Sequence, residues 1–325
     1  MNLKQRVLLC LEANHNTSVS GESLANSIGV SRSAVWKAIK SLQADGYQIH
    51  ASTNKGYMLD SSSDVVSHEG ILPFLKEEYK NKEIIALKSV DSTNTYAKSL
   101  AIKSPTASPI IIANEQTAGR GRMGRRFFSP YDTGIYMSIV IHPDSSLNDA
   151  VLLTTAAATA VCRAIRKTSG LPVMIKWVND IYLKGKKICG ILTEAVSDFE
   201  SGMVECVIIG IGVNFTTSVS QFPSELSGSA DSLYSSATPP ITRNNLIAQI
   251  INELFDINIS LSSRHFMSDY RKFSMTLGKE IMFIYNGDTR HATAIDIDDD
   301  GGLVVKDENG DIKTLRSGEI TIRNI

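Results

Sequence analysis

The chain has 325 residues, a length that predicts roughly two domains at about 150 residues each. Hydrophobic residues make up 42% and charged residues 21%, which is typical of a globular protein with buried cores and excludes a disordered chain. The formal net charge of -1 excludes a uniformly basic surface for indiscriminate nucleic-acid binding, although it allows one local basic face.

The four cysteines predict neither a zinc site nor a disulfide scaffold, because they form no CxxC pair and lie at no metal-ligand spacing from a histidine. We therefore expect reduced thiols in a cytoplasmic protein. The most apolar stretch, 151–162, contains three threonines and is shorter than the ~20 residues of a membrane span. It predicts a buried helix and no membrane partner.

Residues 1–64 predict a winged helix-turn-helix domain that binds DNA. Gly29 lies at the turn between two helical patterns, and Ser31 is placed to cap the second helix. A polar hairpin with its turn at Asn54-Lys55-Gly56 would form the wing. The residues predicted to contact DNA, on the outward face of the second helix and in the wing, are Arg32, Ser33, Lys37, Lys40 and Lys55.

The charge of this first block is modest. Residues 1–60 contain six Lys and Arg against four Asp and Glu, a net charge of +2, so we expect one copy to bind DNA weakly and a dimer to be needed. Trp36 is interpreted as part of the edge of the domain's core. A three-helix module that binds protein, with solvated lysines, is the alternative hypothesis.

Residues 65–276 predict a central α+β domain with a mixed β-sheet, because strand-like runs occur without a regular alternation with helices. Helical patterns cover 148–167 and 242–261. The predicted strands are 84–87, 110–113, 135–141, 173–178 and 204–213.

Residues 277–325 predict a small C-terminal SH3-like β-barrel. Turn sequences such as Asn286-Gly287-Asp288 separate its short strands. From residue 278 onward there are six Lys and Arg against ten Asp and Glu. The near-neutral total charge is therefore the sum of parts of unlike charge, a mildly basic first block and an acidic last one. The predicted strands are 281–285, 293–298, 303–306, 312–315 and 320–323.

The segment 119–126, called the arginine loop below, contains four arginines and three glycines without an acid. Planar guanidinium groups match phosphate and carboxylate oxygens, and glycine lets the backbone approach them closely. The residue order is neither a P-loop nor a dinucleotide fingerprint. Its position just before a predicted strand favours a ligand-covering loop over a disordered nucleic-acid tail.

Three further motifs lie near predicted strand ends. Ser92-Thr93-Asn94 offers neutral donors and acceptors for a small polar head group such as a ureido ring. Lys176 to Lys187 supplies cations and a carboxylate, and Gly210 and Gly212 let a flat ligand lie on the backbone. Each motif alone has an ordinary explanation as a helix cap, a surface cation or a strand bulge. Their joint occurrence indicates a site.

Together these motifs resemble the biotin protein ligases, and in particular the bifunctional form that is also the biotin operon repressor. They occur in the family's order, and with the terminal domains the likeness covers nearly the whole chain. The matching strings are Asp91-Ser-Thr-Asn94, Glu115-Gln-Thr-Ala-Gly-Arg-Gly-Arg122, Lys176-Trp-Val-Asn-Asp180, Lys187-Ile-Cys-Gly-Ile191 and Gly210-Ile-Gly-Val-Asn214.

The resemblance implies a two-step reaction with biotin, ATP and Mg²⁺. Biotin is first activated to biotinyl-5'-adenylate and then transferred to a lysine of a biotin carboxyl carrier domain of a biotin-dependent carboxylase. The resemblance also implies a ligand-promoted homodimer that binds operator DNA and represses biotin synthesis and transport genes when the adenylate is bound. No resident metal site is implied.

The resemblance also implies residue roles. Lys187, Arg122 and Asp180 would be catalytic, with Lys187 neutralising charge in the transition state and Asp180 orienting Lys187 or the acceptor amine, or binding Mg²⁺. The biotin-binding residues would be Ser92, Thr93, Asn94, Gln116, Arg120, Gly121, Arg122, Lys187, Gly190 and Gly210. The ATP-binding residues would be Arg125, Phe127, Lys176 and Asn214, with Phe127 stacked on adenine.

Three positions depart from the family pattern. Val178 stands where proline is usual, which loosens that turn. Phe127 stands where tryptophan is common, so we expect weaker stacking on adenine. Asp231 adds a negative charge near the expected nucleotide, which puts the affinity for ATP in question.

Two alternative functions stay open. One is a winged-helix regulator that senses biotin or its adenylate without significant ligase activity, and the other is a ligase for lipoate or octanoate. Lys187 and Arg122 favour the enzyme, because a sensor of biotin alone does not need both cations. The arginine loop and the polar Ser92-Thr93-Asn94 motif favour biotin over a plain acyl chain.

Overall fold

A computed structural model describes residues 1–52, 55–142, 149–197, 204–285 and 288–322. Its contacts divide the chain into a first unit, 1–80 with 240–249, and a second unit, 81–239 with 250–325. The domain boundaries after residues 64 and 276 stay predictions. No helix within these described ranges is long and apolar enough to cross a membrane. Parts of the predicted elements lie outside the described residues, namely Asn54, Asn148, Asn286, Gly287 and Arg323.

The first unit contains the winged helix-turn-helix, which confirms the predicted N-terminal fold. Gly29, with φ 74°, ends the second helix in the left-handed region that favours glycine, and the Ser31 side chain accepts a hydrogen bond from the Ala34 amide to cap the third. The wing is an antiparallel pair. Its elements are α1 (Leu3–Glu12), α2 (Gly21–Ile28), α3 (Arg32–Ala44), β1 (Ile49–Ser52) and β2 (Gly56–Leu59).

Asp64 and Val65, which follow the wing, are hydrogen-bonded to the first two residues of a helix that begins much later in the chain. Arg243, the first residue of α7 (Arg243–Ile259), is 1% exposed. Its Nε donates to Oδ2 of Asp64 at 2.8 Å, and its backbone amide donates to Oδ1 at 2.6 Å. Asn244 donates to the Val65 carbonyl at 2.9 Å and accepts from the Ser67 amide at 3.2 Å. A short helix, α4 (His68–Ile71), follows.

The second unit is built on a mixed sheet of seven strands in the order β3-β4-β5-β9-β8-β7-β6. Only β3 and β4 pair in parallel among the described strands, which confirms a mixed sheet without regular βαβ alternation. The strands are β3 (Ile84–Leu87), β4 (Ile110–Ala113), β5 (Gly134–Ile141), β6 (Met174–Lys176), β7 (Asp180–Leu183), β8 (Lys186–Ser197) and β9 (Val204–Asn214).

Helices α5 (Thr93–Lys103), α6 (Asp149–Ser169) and α8 (Phe266–Phe273) belong to this unit, as does the second half of α7. Many residues of α6 are fully buried, among them Ala157, Ala160 and Ile165, so the predicted buried helix is confirmed. Three of the four cysteines are buried and all four are free.

The C-terminal residues form five antiparallel strands in the order β13-β12-β11-β10-β14. The five-strand domain is confirmed, but closure into a full barrel is not, because β13 and β14 stand at opposite edges of the described sheet. No ladder joins these two strands within the described residues, so the sheet stays open between them. The strands are β10 (Glu280–Tyr285), β11 (Asp288–Ile297), β12 (Leu303–Asp307), β13 (Ile312–Leu315) and β14 (Ile320–Ile322).

Candidate active site

One cavity of about 320 Å³ in the second unit collects nearly all the catalytic and ligand-binding residues expected from the sequence. Its wall combines the start of α5, the arginine loop, the central strands and the turn before β14. The expected residues that line it are Thr93, Asn94, Gln116, Arg120, Gly121, Arg122, Arg125, Phe127, Lys176, Asp180, Lys187, Gly190, Gly210 and Asn214. Ser92 is not among the lining residues.

Ser92 instead performs the local role that serine often has before a helix. It is 3% exposed, and its hydroxyl accepts a hydrogen bond from the Thr95 amide at 3.4 Å to cap α5. The cap fixes the start of α5, and the next two residues of that helix, Thr93 and Asn94, line the cavity. Ser92 therefore fixes the helix start that forms part of the cavity wall, although it does not line the cavity itself.

One end of the cavity is a network of neutral polar groups. Gln116 Oε1 accepts from the Thr93 amide at 2.9 Å and from the Thr93 hydroxyl at 3.0 Å. The Ser138 hydroxyl, fully buried on β5, lies 2.7 Å from Thr93 Oγ1 and 2.6 Å from Asn94 Oδ1. Such a network holds each amide in one orientation, which suits a small polar ligand with fixed donors and acceptors.

Glu194, on β8, joins this network to the arginine loop. Its Oε2 accepts from Asn94 Nδ2 at 2.7 Å, and its Oε1 lies 3.2 Å from Nη2 of Arg120. The carboxylate thus draws one guanidinium towards the polar end of the cavity. Ser138 and Glu194 are missing from the sequence-based site, because a serine or glutamate within an apolar strand has no motif around it.

The remaining arginines of the loop contact other parts of the second unit. Arg122 Nη1 donates to Asn179 Oδ1 at 3.1 Å, and its Nη2 donates to the Gly318 carbonyl at 3.3 Å. Arg125 Nη2 lies 2.6 Å from Glu319 Oε2. Residues just before β14 therefore complete the cavity wall, a contribution that the sequence motifs did not indicate.

Lys187 and Asp180 form an ion pair beside the arginine loop, with Nζ and Oδ1 2.7 Å apart. The Lys187 backbone is also fixed, since its amide donates to the Ser229 carbonyl at 2.9 Å and its carbonyl accepts from the Asp231 amide at 3.0 Å. Two of the three catalytic candidates are thus in direct contact.

Lys176 adds a further cation to this end of the cavity. Burial lowers its pKa from the usual 10.5, Lys187 and Arg125 act in the same direction, and Asp180 and Glu319 oppose them. A partly desolvated ammonium group among other cations gains most from a bound anion. This end of the cavity is therefore suited to phosphate oxygens.

The floor of the cavity consists of glycines in neighbouring strands. A Cβ atom at Gly210 would lie 2.2 Å from Asn94 Oδ1, and one at Gly212 would lie 2.5 Å from the Phe127 ring. The same ring lies close to Gly190. Phe127 thus packs against the bare backbone of β8 and β9, so its ring fills a slot above these two strands.

Asn214 and Asp231 meet at the end of β9. The Asn214 side chain donates to the Asp231 carbonyl at 3.0 Å, and Asp231 Oδ1 accepts from the Ser232 amide at 2.8 Å. Asp231 does not appear among the residues that line the cavity. Its carboxylate accepts a hydrogen bond at the end of β9, and the effect of its charge on the affinity for ATP stays a prediction.

The first unit carries the residues predicted to contact DNA. Val35, Ile39 and Leu42 of α3 are at most 1% exposed. Trp36, expected at the edge of the core, exposes 51% of its surface. Arg32, Ser33, Lys37, Lys40 and Lys55 are all exposed.

Comparisons with known proteins agree with this architecture. The profile of the biotin/lipoate A/B protein ligase family matches residues 86–214, an HTH domain profile matches 4–58, and the biotin protein ligase C-terminal domain matches 276–323. The biotin protein ligase of Aquifex aeolicus, solved in complex with biotin and ATP, superposes with a TM-score of 0.63. It is 26% identical, and the match covers 74% of this chain and 99% of that one.

Curated relatives match over almost the full length. The bifunctional ligase/repressor BirA of Bacillus subtilis is 33% identical over 315 residues, which cover 94% of each chain. BirA of Escherichia coli is 27% identical over 308 residues, 94% of this chain and 93% of its own. On the combined strength of fold, cavity and full-length similarity, this chain belongs to the biotin protein ligases and, among them, to the bifunctional ligase/repressor family.

Proposed function

We propose that this chain activates biotin with ATP and transfers it to a lysine of a biotin carboxyl carrier domain. The observation that carries the proposal is a single cavity with a neutral polar network at one end and Lys176, Lys187 and the arginine loop at the other. A ureido ring matches the first end, and phosphate oxygens match the second.

In the first step, a carboxylate oxygen of biotin attacks the α-phosphorus of ATP, and the bond to the β-phosphate oxygen breaks to release pyrophosphate. Negative charge on the phosphoryl oxygens must be stabilised during this displacement. We assign this role to Lys187 and Arg122. Asp180 is assigned as a positioning residue, because its ion pair with Lys187 holds the ammonium group in place.

In the second step, a neutral lysine amine of the carrier attacks the carbonyl carbon of the mixed anhydride. The bond from that carbon to the phosphate oxygen breaks, AMP leaves, and the amine nitrogen loses its proton. The anhydride must be protected from water between the steps. The arginine loop, with its contacts to Gly318 and Glu319, is placed to provide that cover.

Mg²⁺ enters this scheme with the nucleotide. Among the described residues no group of three His, Cys, Asp or Glu side chains could hold a metal ion. Mg²⁺ keeps several waters and often binds through substrate phosphates with one or two carboxylates. When bound it would neutralise phosphate charge, and Asp180 is the cavity carboxylate nearest the catalytic lysine.

The direct test is incubation of the full chain with ATP, radiolabelled biotin and a purified carrier domain, followed by denaturing gel electrophoresis. We expect label on the carrier and none on a carrier variant that lacks the acceptor lysine. Label retained only as free adenylate would support the sensor hypothesis instead. Transfer of radiolabelled lipoate or octanoate to a carrier domain, with no transfer of biotin, would support the alternative ligase.

We also propose that the first unit binds operator DNA as a homodimer that forms when the adenylate is bound. The exposed basic face of α3 supports this, since counterion release from phosphates would drive binding. Charge reversal, Lys37→Glu with Lys40→Glu, should abolish retardation of biotin-operon promoter DNA and leave carrier labelling unchanged. Retained promoter binding by this variant would contradict the assignment.

A further inference from the structure

Trp36 occupies an unusual position on α3. The nearby residues Val35 and Ile39 of the same helix are at most 1% exposed, yet the indole exposes 51% of its surface. An exposed tryptophan leaves a large apolar surface in water, and tryptophan is enriched at interfaces, where a partner covers its ring.

The surroundings of Trp36 identify the chemistry of that partner. Arg32 lies four residues before it and Lys40 four residues after it, so both share its helix face, and Lys37 is its neighbour. All three cations are exposed. An apolar ring flanked by cations on one helix face is complementary to a surface with anionic edges and an apolar group between them.

The major groove of duplex DNA has this arrangement. Phosphates border the groove on both sides, and the base edges on its floor present one apolar group, the 5-methyl of thymine. We infer that Trp36 contacts a thymine methyl group and thereby contributes to sequence specificity, while Arg32, Lys37 and Lys40 bind phosphates. The inference rests on the proposed DNA binding by the first unit.

The experiment removes one methyl group at a time. Duplexes are selected from a random-sequence pool by the full chain in the presence of biotin and MgATP. Each thymine of the selected sequence is then replaced by deoxyuridine, which differs only by that methyl. Affinities of the unaltered chain and of Trp36→Ala are measured by fluorescence anisotropy for every duplex.

We expect deoxyuridine at the contacted thymine to weaken binding by the unaltered chain about fourfold, the factor for one buried methyl group. Trp36→Ala should bind the thymine duplex more weakly and show no further loss on that replacement. Trp36→Leu should keep part of the sensitivity, because an apolar side chain remains. An equal loss for Trp36→Ala and the unaltered chain at every thymine would overturn the inference.

Controls separate this outcome from other causes. Lys37→Ala should weaken thymine and deoxyuridine duplexes equally and reduce the salt dependence, as expected for a phosphate contact. Carrier labelling by Trp36→Ala tests whether the second unit is intact, and circular dichroism tests the first.

If Trp36→Ala keeps its DNA affinity but self-associates less in sedimentation, the indole meets a second copy, and the inference is wrong. If the pool yields no enriched sequence, the proposed DNA binding fails and the inference falls with it.

Discussion

The ammonium nitrogen of Lys187 lies 2.7 Å from the Oδ1 carboxylate oxygen of Asp180, so a carboxylate holds this cation of the cavity in place. The two side chains project from neighbouring antiparallel strands, β7 and β8. Rigid strands position charged groups more accurately than loops do, and a group held in place needs little reorganisation during reaction. This pair therefore leads to the first prediction.

Lys187→Ala should reduce biotin-dependent exchange of pyrophosphate into ATP by about 100-fold or more, the usual cost of removing one preorganised charge donor. Asp180→Asn should cost less, because it loosens Lys187 without removing its charge. Lys186→Ala, on the adjacent residue outside the cavity, is the matched control and should keep the exchange rate. An unaltered rate for Lys187→Ala would refute its catalytic role.

Gly210→Ala should severely weaken biotin binding, whereas Gly121→Ala should be tolerated sterically. A Cβ at Gly210 would lie 2.2 Å from Asn94 Oδ1 and displace that amide from its network. At Gly121 the nearest contact would be an ordinary 3.4 Å, so the two substitutions are chemically identical but sterically different. Isothermal titration with biotin measures the difference. An unchanged affinity of Gly210→Ala for biotin would show that Asn94 does not need its observed position.

As pH rises above neutral, the affinity for ATP should begin to fall at a lower pH than it would if Lys176 had the pKa of an ordinary lysine. Burial lowers the pKa of Lys176 from 10.5, so its charge, present below the shifted pKa, is lost as pH rises through it. KM for ATP should therefore increase between neutral pH and 10.5, the usual lysine pKa. In Lys176→Arg the guanidinium stays charged, and the increase should largely vanish. The same rise in Lys176→Arg would assign the titration to another group.

Asp64→Ala should destabilise the first unit by about 3 kcal/mol, because it removes the carboxylate that pairs with the buried Arg243 guanidinium and accepts from the Arg243 amide. Glu77→Ala, which breaks the exposed Lys80–Glu77 pair in the same unit, should cost less than about 1 kcal/mol. Urea unfolding followed through the exposed Trp36 fluorescence compares the two. Similar costs would mean that Arg243 finds other partners of equal strength.

Part of the fold could be predicted from the sequence because local chemistry determines it. The turn at Gly29 and the cap at Ser31 each need a particular residue type, and the strands β3 and β4 are short β-branched runs with clear ends. The strands β7 and β8 were not predicted, because charged residues such as Asp180, Lys187 and Glu194 interrupt their apolar residues. Helix α5 was missed as well, because its few apolar residues give little helical periodicity.

The candidate site could be predicted from the sequence only in part, for a similar reason. The arginine loop concentrates its chemistry in eight consecutive residues, so its sequence alone indicates an anion site. Glu194 and Glu319 contribute through pairing in space, with Arg120 and Arg125 respectively. Single acids far away in the chain carry no local pattern, and only tertiary structure brings them to the cavity.

The packing of Phe127 on Gly212 has a practical consequence for protein engineering. A smaller side chain, as in Phe127→Leu, would open a hole above the strand backbone at the place where the ring now fills the slot. A biotin analogue with an added bulky group could occupy that hole, whereas the unaltered chain would exclude it. Such an orthogonal enzyme and analogue would label chosen carrier proteins in cells that keep their own ligase.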